Sequence, residues 1–259
     1  MKLILFLCCL LSFSSLLAQE KTDSLNQQRI YELFLIGSND SIQNYTDTLN
    51  KDNAFCSHWG GMQLGFIHFS NLPKEWKELD LNWNRSIVFQ FNFCQYDLPI
   101  SKNNQFGLLS GLGLEYQRFL FDNPSISITK ENGELKIINL QEIEKQDICI
   151  KKSTFKNLYL TIPLMLEIQF LPQKEKTFYF MAGFMSGIRL HSKTKVVYKD
   201  AHGKHKQKRK GDFNVNPIKL DVAAQFGCHT FNIWGSYSLT HLFQAIDIHP
   251  FQIGIGINF

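Results

Sequence analysis

Past its first 18 residues the chain has no apolar run long enough for a helix to cross a bilayer, which takes roughly 20 residues, so any membrane insertion has to be made by strands. It also has few cysteines. Beyond the apolar start only Cys56, Cys94, Cys149 and Cys228 remain. Cys56, ahead of the first strand, and Cys94, near the end of the second, could meet at one rim; free thiols equally suit a chain long enough to need no staples. Constellations for catalysis are missing too. Ser238 and His241 are close in sequence, but proximity alone does not make a nucleophile and base, so no enzyme is expected. His202 and His205 lack the further ligands of a zinc site, and neither a metal nor a cofactor is expected. The net charge is only +4, and no basic surface is interleaved with aromatics, which excludes nucleic acid as a partner.

The chain opens on MKLILFLCCLLSFSSLLAQE, with a basic Lys2, an apolar run over 3–17 and a small Ala18. This is the pattern of a secretory signal peptide over residues 1–18. Residues 19–57 are polar and without sustained periodicity, apart from an apolar patch at 30–36. They are expected to form a mostly irregular periplasmic leader with one short helix.

From residue 58 the pattern changes to strict alternation. The clearest case is LYLTIPLMLEIQF, 158–170: Leu158, Leu160, Ile162, Leu164, Leu166, Ile168 and Phe170 share one face, and Tyr159, Thr161, Pro163, Met165, Glu167 and Gln169 share the other. Similar strands are read at 59–69, 85–97, 105–120, from 178 onward, 217–227, 230–239 and 250–259, eight in all. The second sets Ile87, Phe89, Phe91 and Phe93 against Ser86, Gln90, Asn92 and Cys94.

A soluble barrel would alternate as well, but its water-facing side would be rich in Lys, Glu and Thr. Here the polar face is mainly Gly, Ser, Asn and Gln, and the apolar face carries no charge through the strand centres. The links at 98–104, 171–176 and 228–229 are short and the others mostly longer, as for periplasmic turns and extracellular loops. Residues 58–259 are therefore expected to form an all-β domain, an eight-stranded antiparallel transmembrane β-barrel integral to the outer membrane. Within the third link, 121–155, Asn132-Gly133 between two alternating runs predicts a hairpin above the membrane. In the fifth, residues around 200–204 are expected at the tip of a ribbon made by extensions of strands five and six.

By parity Glu115, Glu167, Arg189, Lys219 and Asp221 face the lumen, with Glu115 and Arg189 at similar heights, and in a narrow barrel such charges must pair or be hydrogen-bonded. An internal network that stabilises the barrel is favoured over a gate or proton path. Pro163 removes a ladder donor, which predicts a local bulge or a neighbouring carbonyl satisfied from the lumen. The basic run at 204–210, with Lys204, Lys206, Lys208, Arg209 and Lys210, lies on the outer fifth link and could hold an anionic lipid or an acidic partner, or simply be solvated. The closing FQIGIGINF, ending at Phe259, reads as a signal for the barrel-assembly machinery.

Several segments together resemble the PorT-like outer-membrane β-barrel family of Bacteroidota: HWGGMQLG (58–65), LDLNWNRS (79–86), GLLSGLGLEYQRFLFDN (107–123), YLTIPLMLEIQF (159–170), GIRLHSKTKVVY (187–198), DFNVNP (212–217) and YSLTHLF (237–243). The resemblance implies an exported integral barrel and, for the family's named members, a part in protein secretion. His241 stands where the family has proline, which leaves the geometry of the seventh link open. The expected role is nonenzymatic, in envelope maintenance or secretion, with outer-membrane lipid and a secretion-system or envelope protein as partners. The alternatives are a narrow small-solute channel and an outer-membrane lipid-modifying enzyme. A closed barrel should migrate differently before and after boiling on a detergent gel, and identical mobility with recovery in the soluble fraction would contradict the assignment.

Overall fold

The computed structural model describes residues 55–259, apart from 102, 104, 132–133, 141–148, 171–176, 201–202 and 245. The expected signal peptide, most of the leader, the Asn132-Gly133 turn and the 171–176 turn lie outside the described residues. In chain order the strands are β1 (Gly61–Phe69), β2 (Ile87–Pro99), β3 (Phe106–Leu120), β4 (Ile126–Glu131), β5 (Glu134–Asn139), β6 (Cys149–Phe170), β7 (Phe178–Asp200), β8 (Gly203–Lys210), β9 (Ile218–Cys228), β10 (Phe231–Ser238) and β11 (Pro250–Asn258). Eight of them, β1, β2, β3, β6, β7, β9, β10 and β11, pair antiparallel around a closed ring. The seam runs from Gly61 opposite Asn258 to Phe69 opposite Pro250.

Alternation builds this ring as the sequence indicates. Leu164 and Leu166 on β6, Phe180 and Phe184 on β7, Ile233 on β10 and Ile255 on β11 are exposed on the outer surface, while the intervening Met165, Glu167, Tyr179 and Met181 are buried. An apolar outer band with an internally satisfied backbone is what lipid requires. β4 pairs with β5 in a separate hairpin within the third link, matching the hairpin expected there.

β6 and β7 are 22 and 23 residues long, about twice the roughly 9–11 residues a strand needs to cross. Their outer halves stand clear of the bilayer. The ribbon differs from the sequence-based expectation: it has three strands, because β6 already begins at Cys149 and the partner on the other side is the separate β8. Phe213 and Asn214, at φ 46° and 49°, lie in the break between β8 and β9, where an uninterrupted extension was expected.

Two bulges also escape simple parity. Between Asn92 and Cys94 the β2 register shifts, so Cys94 is exposed rather than on the lumen face where alternation places it. A second shift, between Leu158 and Tyr159 of β6, leaves Leu190 of β7 without an opposite residue. At Pro163 the β7 ladder is unbroken, but pairing with β3 stops at Ser110–Leu164 and resumes at Gly113–Thr161. A strand residue's N–H and C=O point to the same neighbour, and the Pro163 carbonyl accepts a 3.0 Å hydrogen bond from Ser110 Oγ on β3. The missing donor thus falls inside the gap. The compensating hydroxyl comes from the outward parity of Leu108 and Leu112, not from the lumen as expected.

The seam depends on close approach. Gly65 and Gly254 are opposite each other, and a Cβ on Gly254 would lie 2.3 Å from the Leu64 carbonyl oxygen. A Cβ on Gly235 would meet nothing nearer than 3.4 Å. Gly254→Val is therefore expected to lose most of the heat-modifiable folded band after refolding, and Gly235→Ala to keep it; equal folding of both would show that the seam tolerates separation.

Candidate functional site

The lumen is filled in layers, and each layer follows from which side chains the strands turn inward. At mid-height Lys219 of β9 extends its ammonium to both Glu115 oxygens of β3, at 2.7 and 2.8 Å, and to Asp221 Oδ2 at 2.6 Å. Lys219 and Asp221 are two residues apart and so share the inward face. Gln90, Gln117 and Gln252 donate to Glu115 at 3.2, 2.6 and 3.1 Å, and the Lys219 ammonium sits 5.2 Å from the centre of the Tyr159 ring. Two carboxylates share one ammonium, and the glutamine amides take up further lone pairs of Glu115, as a buried charge requires.

The other two expected members are elsewhere. Glu115 and Arg189 are indeed level, both in register with Tyr159, but Arg189 turns to the outer rim and donates to the Asp212 backbone carbonyl. Glu167 lies in a lower layer, where His58 Nδ1 is 2.7 Å from its Oε1 and the His58 backbone N–H donates to Oε2 at 2.9 Å.

That lower layer contains the main feature sequence reading missed. Residues 55–60, with 55–57 expected in the leader and 58–60 in the barrel domain, enter the periplasmic mouth of the barrel. Phe55 is buried against Gly107, where any Cβ would collide with its ring. Ser57 donates to Asp97 through both its backbone N–H and its hydroxyl, and Gln95 accepts from the backbone N–H of Trp59 and Gly60 at 3.1 and 2.8 Å. His58 stacks on Tyr179 with ring centres 4.1 Å apart, and Trp59 is buried among Leu109, Met165 and Met185. Between this plug and the ion layer, beside Trp59, Met185 and Gln225, a cavity of about 10 Å³ remains, barely enough for one water.

The outer mouth is closed by apolar packing. Phe69, Phe119 and Phe155 stack with centres 5.4 and 5.9 Å apart, and Phe155 meets Phe213 and Phe243 from the outer links at 5.7 and 5.8 Å. Leu79, Leu81 and Ile248 join the same buried cluster. Lys130 of β4 ties the hairpin to the fifth link through Asp212, at 2.9 Å, and holds that carboxyl below its usual range.

Outside, the predicted basic loop is the exposed strand β8. Lys204, Lys208 and Lys210 lie directly opposite Lys199, Lys195 and Lys193 of β7, and Lys156 of β6 lies opposite Lys193. Lys206 and Arg209 are opposite Val197 and Thr194. Like charges directly opposite one another repel. Partial burial and then the surrounding positive charges push the ammonium groups of Lys152 and Lys195 below their usual range. Below this field Arg118 and Lys156 pair above Tyr116 and Leu158, and the Lys156 ammonium donates to the Tyr116 hydroxyl at 2.6 Å.

The side chains weighed for catalysis have different partners. Ser238 is buried opposite Asp221, while His241 turns to Asp247. Cys56, Cys94, Cys149 and Cys228 are all free thiols. Phe259 is 80 % exposed, with its N–H donating to the Gly60 carbonyl at 3.2 Å.

If the ion layer holds the middle of the barrel, Lys219→Met, which strands two carboxylates, should cost about 3–5 kcal/mol as read from the urea midpoint in vesicles. The triple variant Glu115→Gln, Lys219→Met, Asp221→Asn should recover most of that loss. A neutral Lys219→Met would remove the layer from any structural role.

Among known proteins, no curated sequence matches this chain. Of solved structures, it is similar to Ail, the attachment invasion locus protein of Yersinia pestis, at 13 % identity and a TM-score of 0.30, covering 77 % of this chain and 97 % of that one. It is also similar to outer membrane phospholipase A from Escherichia coli, at 10 % identity and a TM-score of 0.26, covering 78 % and 97 %. At these scores neither neighbour bears on activity. The family model for the outer membrane protein beta-barrel domain matches residues 57–244, most of the ring described above. The chain therefore belongs to the outer membrane protein beta-barrel domain family and is an integral protein of the outer membrane.

Proposed function

We propose that this protein is a closed, nonenzymatic outer-membrane barrel that works by contact, in envelope maintenance or protein secretion. The observation that carries the reading is the filled lumen: a plug at 55–60, a glutamine-lined ion layer and an aromatic cap succeed one another along the axis. A barrel of eight strands leaves an interior barely wide enough for its own side chains, and here those side chains occupy it. That argues against a small-solute channel. The different partners of Ser238, which lies opposite Asp221, and of His241, which turns to Asp247, argue against the lipid-modifying enzyme. The PorT-like segments support secretion as the process.

Contact surfaces remain at both ends. On the outside, the lysine-rich face of β7 and β8 continues the outward side of the barrel just above Tyr116 and Leu158, at the level where anionic headgroups of the outer leaflet would sit. Anions between the opposed lysines would relieve their repulsion. On the inside, the plug at 55–60 forms the periplasmic face that an envelope or secretion partner would meet. The barrel-assembly machinery is the expected reader of Phe259 during insertion.

Planar-bilayer recordings of refolded protein are expected to show no conductance steps, and steady unitary currents would overturn the contact reading. Replacing Lys193, Lys195, Lys208 and Lys210 with Gln should weaken retention on vesicles bearing anionic lipopolysaccharide and flatten its dependence on salt. Retention equal to that of the parent would exclude this face as the lipid contact.

A further inference from the structure

The link between β10 and β11 brings three potential metal ligands to one point on the outer rim. His241 Nε2 is 3.2 Å from Asp247 Oδ1, and His249 Nε2 is 2.8 Å from the same oxygen. The ligand atoms of all three residues lie within 4.8 Å of one another.

The His249 ring and the backbone of the link are held from behind. His249 Nδ1 is 2.8 Å from the Ser238 backbone carbonyl, and its ring lies nearly parallel to that of Tyr237, with centres 5.7 Å apart. The two arms of the link are tied by the Leu242 N–H donating to the Ile248 carbonyl at 2.8 Å, and the His241 carbonyl accepts from Asn216 Nδ2 at 2.6 Å. Leu242, Phe243, Ile246 and Ile248 are buried in the aromatic cap, so the ligands stand on an anchored link.

The hydrogen-bond chemistry then points to a cation. A carbonyl oxygen only accepts, so His249 Nδ1 carries a hydrogen. In the neutral ring Nε2 is a lone pair aimed at a carboxylate oxygen 2.8 Å away, and two lone pairs at that distance need a positive charge between them. A second proton or a metal ion can supply it. A backbone carbonyl holding Nδ1–H is also the outer-shell arrangement that orients metal-bound histidines.

We propose that His241 Nε2, Asp247 Oδ1 and His249 Nε2 bind Zn²⁺ at the cell surface, with the fourth position open to water or to a donor from a partner. Two imidazoles and a carboxylate form a zinc-type ligand set, and tetrahedral bonds near 2.0–2.1 Å place ligand atoms about 3.3 Å apart. The two distances to Asp247 are already close to that spacing. Only the histidine nitrogens need to draw together, and His241, 46 % exposed at its side chain, is free to swing.

The experiment uses the full chain refolded in detergent, with all thiols alkylated so that Cys56, Cys94, Cys149 and Cys228 cannot compete for metal. Zinc is titrated against a chromogenic chelator, and Co²⁺ is added separately to report geometry. One equivalent of zinc and intense visible Co²⁺ bands of a tetrahedral centre are expected. His241→Ala, Asp247→Asn and His249→Ala should each lower affinity by more than the roughly 10- to 100-fold lost with an outer-shell partner. His205→Ala on β8 should leave affinity unchanged. Gel mobility before boiling checks that each variant is folded; if His249→Ala is not, the exposed His241→Ala decides. Absence of binding, weak octahedral Co²⁺ bands, or binding that survives His241→Ala and Asp247→Asn would overturn the assignment and leave a proton bridging His249 and Asp247.

Discussion

A polypeptide in hydrocarbon must satisfy its own backbone hydrogen bonds, and the pairing of β1 with β11 is where this chain meets that requirement. Without the seam from Gly61–Asn258 to Phe69–Pro250, two full strand edges would face lipid with no water to solvate them. Much else follows from closing the ring at eight strands. The circumference is small, so the inward residues have to pack like a protein core. The glycines at 65 and 254 permit the two edges to meet, and the outward side chains are left to lipid.

Closure at this size sets strict terms for the interior. Any ionised group inside is cut off from bulk water, so Lys219 is matched by Glu115 and Asp221, and amides donate to Glu115, rather than these groups being left to open solvent. The ends obey the same rule by different means. Aromatic packing closes the outer mouth, and hydrogen bonds donated by the plug to Gln95, Asp97 and Glu167 close the inner one. Pairing and packing thus divide the lumen between them, and the zinc reading concerns only the rim beyond both.

The ring was legible because lipid and lumen impose opposite chemistry on alternate residues, and a period of two survives in the sequence wherever pairing is regular. Leu158 through Phe170 display this almost without fault. Where pairing is irregular the sequence misleads. Cys94 reads inward because a bulge at Phe93 leaves no local mark, and residues 149–155 read as part of the third link because Lys151 and Lys152 hide a strand that stands in water. Arg189 is legible in height, and it is hydrogen-bonded as a lumen charge must be, but its partner is the Asp212 carbonyl at the rim, since parity fixes a side and a level but not which way a long side chain reaches. The plug left little trace: nothing in Phe55, Ser57 or His58 announces that their partners, Gly107, Asp97 and Glu167, lie some 40 to 110 positions further on. The meeting of His241 with His249 is likewise a property of the folded link.

The plug is continuous with the seam. Residue 60 ends the buried segment, residue 61 begins β1, and the Gly60 carbonyl accepts from the last residue of the chain. Tension applied to the leader from the periplasm would first peel single side-chain bonds at Ser57 and His58, one after another. It would then act along β1, loading its two ladders, to β2 and to β11, in shear. Bonds broken in sequence yield to a small force, whereas ladders sheared together resist a large one. The inner mouth is therefore built as a mechanical anchorage, with a yielding section in front of a rigid one.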